Sequence, residues 1–140
     1  MVRLQKRKDN TMKQAIYNIG VENTMKIIGG KWKPIILCHL KHGAMRTGEL
    51  RRAIPNITQK MLTQQLRELE DDDIVNRKVY NQIPPKVEYS LTAYGQSLNK
   101  ILEELCVWGE NDIDRRKANG ENIILLNRED VPNDALPYAD

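Results

Sequence analysis

Between Thr47 and Glu70 the chain carries two short amphipathic patterns, "TGELRRAI" and "TQKMLTQQLRELE", separated only by "PNI". Leu50, Ala53 and Ile54 fall at i, i+3 and i+4, the apolar face of a first short helix for which Thr47 is the expected N-cap. Thr58 is placed to cap the second helix. Two short helices joined by three residues have little choice of arrangement, and the pattern predicts a helix-turn-helix.

The next segment of the chain narrows this further. Ile74–Tyr80 and Val87–Leu91 are β-rich runs, the second alternating Val87, Tyr89 and Leu91 with Glu88 and Ser90. Between them "NQIPPK" reads as a stiff loop around two prolines, so the pair predicts a hairpin, the wing of a winged helix-turn-helix. Upstream, "KWKPIILCHLKHG" is apolar nearly all round and predicts a buried central helix, with Pro34 tolerated only in its first turn. Val21–Ile28 predicts a short helix before it. Met12, Ala15, Ile16 and Ile19 trace a helical stripe earlier still. Downstream, Thr92 is the expected cap of one long helix running to about Asp114. Alternating βαβ units are absent, which argues against a doubly wound α/β enzyme. The expected class is therefore α+β, mainly helical: a winged helix-turn-helix with added N- and C-terminal dimerisation helices. Its expected divisions are a basic arm and short helix over 1–20, the winged domain with its last helix over 21–114, and an acidic, largely irregular tail over 115–140.

The helix after Thr58 has two unlike faces. On a wheel of about 100° per residue, Lys60, Thr63, Gln64 and Arg67 fall within about 100° of one another, with Leu62, Leu66 and Leu69 opposite. Gln can engage adenine with both amide atoms, Arg and Lys reach guanine O6 and N7, and the Thr methyl meets that of thymine. Carboxylates would be repelled by phosphates, and they gather at the far end as Glu68, Glu70 and Asp71–Asp73. The candidate recognition residues are thus Thr58, Gln59, Lys60, Thr63, Gln64 and Arg67. Arg46, Arg51 and Arg52 are candidates for phosphate contacts, as are Arg77, Lys78 and Lys86 on the wing.

Charge agrees with this placement. Residues 1–60 hold 13 Lys/Arg against 3 Asp/Glu, and residues 61–140 hold 9 against 16, so a net charge of +3 conceals a strongly basic half. Such a half suits an anionic partner, here double-stranded DNA, although a solvated basic face is the plain alternative.

Several blocks, "GGKWKPIILCHL", "TGELRRAIPNITQKMLTQQLRELE", "VNRKVYNQIPPKVEYSLTAYGQSL" and "LCVWGE", resemble the HxlR-type family of bacterial winged-helix regulators over about residues 19–110. The resemblance implies a winged-helix homodimer that binds operator DNA and represses or activates nearby genes. Lys31 and Trp32 match the family's Gly-Lys-Trp block, and Gln59, Lys60, Thr63, Gln64, Gln65 and Arg67 match its recognition helix. Pro84 and Pro85 match its wing, and Tyr89, Ser90, Leu91, Thr92 and Gly95 its Tyr-Ser-Leu-Thr-x-x-Gly segment. Many members carry a cysteine just before the first core helix, in some a redox or electrophile sensor. Ile19-Gly20 stands there in this chain, so thiol sensing by that route is not expected.

The last helix carries Leu98, Ile101, Leu102, Leu105 and Trp108 as one stripe. Part of it must cover its own domain, and one stripe could all be core; the surplus, with Met12, Ile16 and Ile19, forms the expected two-fold interface of a homodimer. Such a dimer predicts a palindromic operator with half-sites about 34 Å apart. Cys106 beside Trp108 is a candidate redox thiol, though a structural thiol is commoner. Cys38, His39 and His42 lack a second cluster of ligands, so no metal is expected. No phosphate loop or nucleophile motif suggests catalysis, and no cofactor is expected. No segment has the length and apolarity of a membrane span, and two unrelated cysteines fit the cytoplasm. An unidentified small-molecule effector is a candidate further partner. The reading of a different class is a winged-helix protein-interaction module without specific DNA binding.

Overall fold

The structure, a computed structural model, describes residues 13–129. Among these residues six helices and a hairpin occur in the order α1 Gly20–Ile28, α2 Trp32–Leu40, α3 Thr47–Ala53, α4 Gln59–Asp71, β1 Val75–Tyr80, β2 Lys86–Leu91, α5 Ala93–Gln96 and α6 Asn99–Ala118. The chain divides into two compact units, one up to Ser97 and one from Leu98 onward. Among the described residues no helix is long and apolar enough to cross a membrane.

The first unit is built around α2. Pro34 sits in its first turn, where the backbone donor has no intrahelical acceptor to lose. Ile36, Leu37 and Leu40 are buried, and with Leu50 of α3 and Leu62, Leu66 and Leu69 of α4 they form the core. Each fully buried aliphatic side chain contributes roughly 1.5–3 kcal/mol. The five-residue link Ile54–Thr58 between α3 and α4 turns at Asn56, whose φ of 72° is a left-handed conformation that asparagine tolerates better than most residues.

The end of α4 explains its aspartates. Asp73 takes φ 62° and its N–H donates to Glu70 O at 3.0 Å, while Ile74 N donates to Leu69 O at 2.9 Å. This is a Schellman closure with aspartate at the left-handed position. It delivers Ile74 and Val75, both buried, directly into β1.

β1 and β2 pair antiparallel from Val75↔Leu91 to Tyr80↔Lys86. Met45 adds a bridge on the other edge of β2, with Met45 N to Tyr89 O at 2.9 Å and Tyr89 N to Met45 O at 2.8 Å. Behind β2, the Thr92 hydroxyl accepts from Gly95 N at 2.7 Å and donates to Asp73 O at 2.7 Å. A Cβ on Gly95 would lie 2.1 Å from Ile74 O, so only glycine allows this approach of α5 to the start of the wing.

Four expectations change here. Residues 13–19 form no helix, and Met12 lies outside the described residues. Ile16 is 80% and Ile19 62% exposed, so a stripe without packing partners among the described residues does not hold a short helix. Thr47 is the first residue of α3 rather than its cap; the cap is Arg46, whose N–H donates to Glu49 at 2.9 Å. The expected single last helix is two, α5 and α6, parted at Ser97 and Leu98. Leu102 is fully buried, and so cannot belong to an exposed pairing face.

Candidate nucleic-acid interface

Thr58 caps α4 as expected, its hydroxyl accepting from Met61 N at 3.0 Å. With Leu62, Leu66 and Leu69 all fully buried, the azimuth of the helix is fixed and its opposite face must point to solvent. Lys60, Gln64 and Arg67 are exposed on that face and Gln59 is exposed in the first turn, while Thr63 is half-buried and its hydroxyl accepts from Gln59 Nε2 at 3.1 Å. No carboxylate occurs from Gln59 to Arg67, and Asp71 follows one turn beyond Arg67 on the same face. Glu68 borders that face from the side.

The wing separates residues that charge alone groups together. Successive strand residues face opposite ways, so the register puts Lys78, Tyr80, Lys86 and Glu88 on one face and Arg77 on the other, with Val79 and Tyr89. Lys78 Nζ lies 4.8 Å and Lys86 Nζ 4.7 Å from the centre of the Tyr80 ring, so two cations share one aromatic. Lys86 also pairs with Glu88 at 3.5 Å. A hydrogen bond from Tyr80, more than the neighbouring Lys86 and Arg46, holds Glu88 below the usual carboxylate range. Sequence patterning does not single out Tyr80, although its cross-strand position opposite Lys86 is the signal that reveals it.

An open groove of about 690 Å³ lies between the start of α3 and the wing. It gathers Arg46, Arg52 and Lys86 with Glu49 and Glu88. Glu49 is engaged in capping α3 and Glu88 with Lys86 and Tyr80, so both groove carboxylates have partners of their own. Arg51 is exposed but does not line the groove.

Beneath α4, Lys33 is a residue that sequence reasoning misses. It lies in the apolar α2 and is 8% exposed, with Nζ 2.7 Å from Glu68 Oε1. A buried ammonium needs such a partner. Its only trace in the sequence is a lysine inside a run of apolar residues.

In the second unit, Ile101, Leu105 and Trp108 occur at i, i+4 and i+7 of α6 and are 45%, 51% and 63% exposed. Leu98 is half-buried. Arg128 folds back onto the end of α6, meeting both Asp114 oxygens at 2.9 and 2.8 Å, and Glu129 N donates to Glu110. That guanidinium holds Asp114 below the ordinary carboxylate range. Neither Cys38 nor Cys106 is in a disulfide, and both are half-buried.

Comparison with known proteins agrees with this architecture. The profile of the HxlR-like helix-turn-helix family matches residues 27–117. The chain belongs to that family. The HTH-type transcriptional regulator YtcD of Bacillus subtilis is 60% identical over 125 residues, covering 89% of this chain and 97% of its own. YkvN of the same organism is 56% identical over 109 residues, or 78% and 92% of the two chains. Among solved structures, the regulator ytcD superposes with a TM-score of 0.64 at 65% identity, over 67% of this chain and 96% of its own. The oxidized redox regulator HypR gives a TM-score of 0.64 at 50% identity, over 74% and 98%. The family and these relatives are transcriptional regulators rather than enzymes, and the fold is their winged helix.

Proposed function

We propose that this HxlR-family regulator acts as a homodimer on a palindromic DNA operator, with α4 in the major groove and the wing beside the backbone. The observation that carries the reading is the N-terminal polar face of α4, free of carboxylates from Gln59 to Arg67 and locked outward by three buried leucines. Gln59, Lys60, Thr63, Gln64 and Arg67 are the residues that reach base edges, Thr58 holding the N-terminus of the helix that presents them. Arg46, Arg52 and Lys86, gathered in one groove, take phosphates. Lys78 joins them from the wing, whereas Arg51 and Arg77 stand off that groove and contribute general positive field.

The exposed Ile101, Leu105 and Trp108 stripe on α6 is the surface for the second copy. A footprint of the purified protein on DNA flanking its own gene tests the reading. Two protected half-sites about one helical turn, roughly 34 Å, apart are expected. A single asymmetric half-site contradicts the dimer, and no protection anywhere contradicts operator binding.

A further inference from the structure

Glu68 sits at the rim of the recognition face with its two oxygens divided between two partners. Oε1 accepts from Lys33 Nζ at 2.7 Å, and Oε2 accepts from Gln64 Nε2 at 3.4 Å. Lys33 belongs to the core helix α2 and its side chain is only 10% exposed, so it anchors the carboxylate to the body of the unit. Gln64 belongs to the face assigned to base reading. We propose that Glu68 is a positioning residue that fixes which way the Gln64 amide faces the groove, and so which base Gln64 selects. The proposal rests on the DNA-binding reading above.

The chemistry of the carboxylate decides the direction. Ionised, it only accepts hydrogen bonds, so of the two ends of the Gln64 amide only Nε2 can turn towards it. Oε1 is then turned away, with one Nε2 hydrogen still available. That pair, an acceptor beside a donor, suits adenine N6 and N7. A glutamine without such a neighbour presents either end and discriminates less. A glutamate is already an acceptor at neutral pH, and the Lys33 hydrogen bond, which outweighs burial, lowers Glu68 further below the usual carboxylate range. At 3.4 Å the bond to Gln64 biases rather than locks the amide; it strengthens when DNA excludes water from the rim.

Binding-site selection from randomised duplexes, with the full-length protein and its variants, tests this. Gln64→Ala first identifies the base position that Gln64 reads. Glu68→Gln keeps an acceptor for Lys33 but introduces an amide that can offer either end to Gln64. It should lower the adenine preference at that position by about three- to tenfold. Because it also removes a negative charge near phosphates, it should raise overall affinity at low salt. A merely structural role would lower both. Lys33→Met, which unties Glu68 without changing its charge, should lower the same preference without raising affinity. In a Gln64→Ala background neither variant should alter that position. A wild-type motif that Glu68→Gln and Lys33→Met leave unchanged overturns this proposal alone, whereas a wild type that selects no motif overturns the DNA-binding reading and this proposal with it.

Discussion

The Lys33–Glu68 pair makes an asymmetric prediction about stability. Its two members sit in unlike surroundings, the lysine side chain 10% exposed and the glutamate 43%. Glu68→Ala leaves a largely buried ammonium without its carboxylate, whereas Lys33→Met leaves a carboxylate that water still reaches. Breaking a fully buried pair by deleting one partner costs about 3–5 kcal/mol. Screening at the half-open Glu68 end reduces this, and the long lysine can shift its head outward, so about 1–2 kcal/mol is expected for Glu68→Ala. Lys33→Met exchanges a charged chain for an apolar one of similar length and should fall within about 0.5 kcal/mol of wild type. Urea unfolding followed by circular dichroism, at one fixed protein concentration because the stability of the proposed dimer would depend on it, measures both. With a slope of about 2 kcal/mol per molar urea, Glu68→Ala should move the midpoint down by roughly 0.5–1 M and Lys33→Met by little. Equal losses, or a larger loss for Lys33→Met, would refute the claim that the buried charge dominates.

Thr92→Val removes the acceptor of Gly95 N and the donor to Asp73 O at a buried position; a loss of about 2–3 kcal/mol is expected, read as a lowered thermal midpoint. Burial, with help from the neighbouring His42, holds the His39 imidazole below its ordinary 6.5, so the unfolded chain takes up that proton first. That contribution is therefore full above about pH 6.5 and is lost as pH falls through the lower folded value; His39→Gln should flatten the decline in urea midpoint between about pH 7.5 and 5.5. Trp108→Arg places a charge on the exposed α6 stripe and should shift sedimentation from dimer towards monomer without lowering helical content; an unchanged dimer would move the interface elsewhere.

Much of the winged domain is legible in the sequence because its signals are local. The α3 and α4 periodicities, the short break between them, the Thr58 cap and the strand alternation each depend on few residues, and all agree on one arrangement. The failures share a cause. Residues 12–19 have helical spacing, but spacing forms a short helix only where something covers its apolar face, and Ile16 and Ile19 are exposed. The break between α5 and α6 follows from the seating of Gly95 against Ile74 O, a contact across 21 residues that no periodicity reports. Charge groups Arg77 with Lys78 and Lys86, and only the register of β1 against β2 separates them. Lys33 and Glu68 are 35 residues apart, and the meaning of either requires the packing of α2 beside α4.

The salt dependence of DNA binding tests the central claim most directly. Arg46, Arg52 and Lys86 line one groove per copy, and the proposed dimer would present six such cations. Counterion release then predicts that log K for the DNA flanking its own gene falls against log salt with a slope of about −5 or steeper. Fluorescence anisotropy of the labelled duplex between about 50 and 200 mM salt would show a loss of roughly a thousandfold. A flat titration would contradict DNA binding through this face.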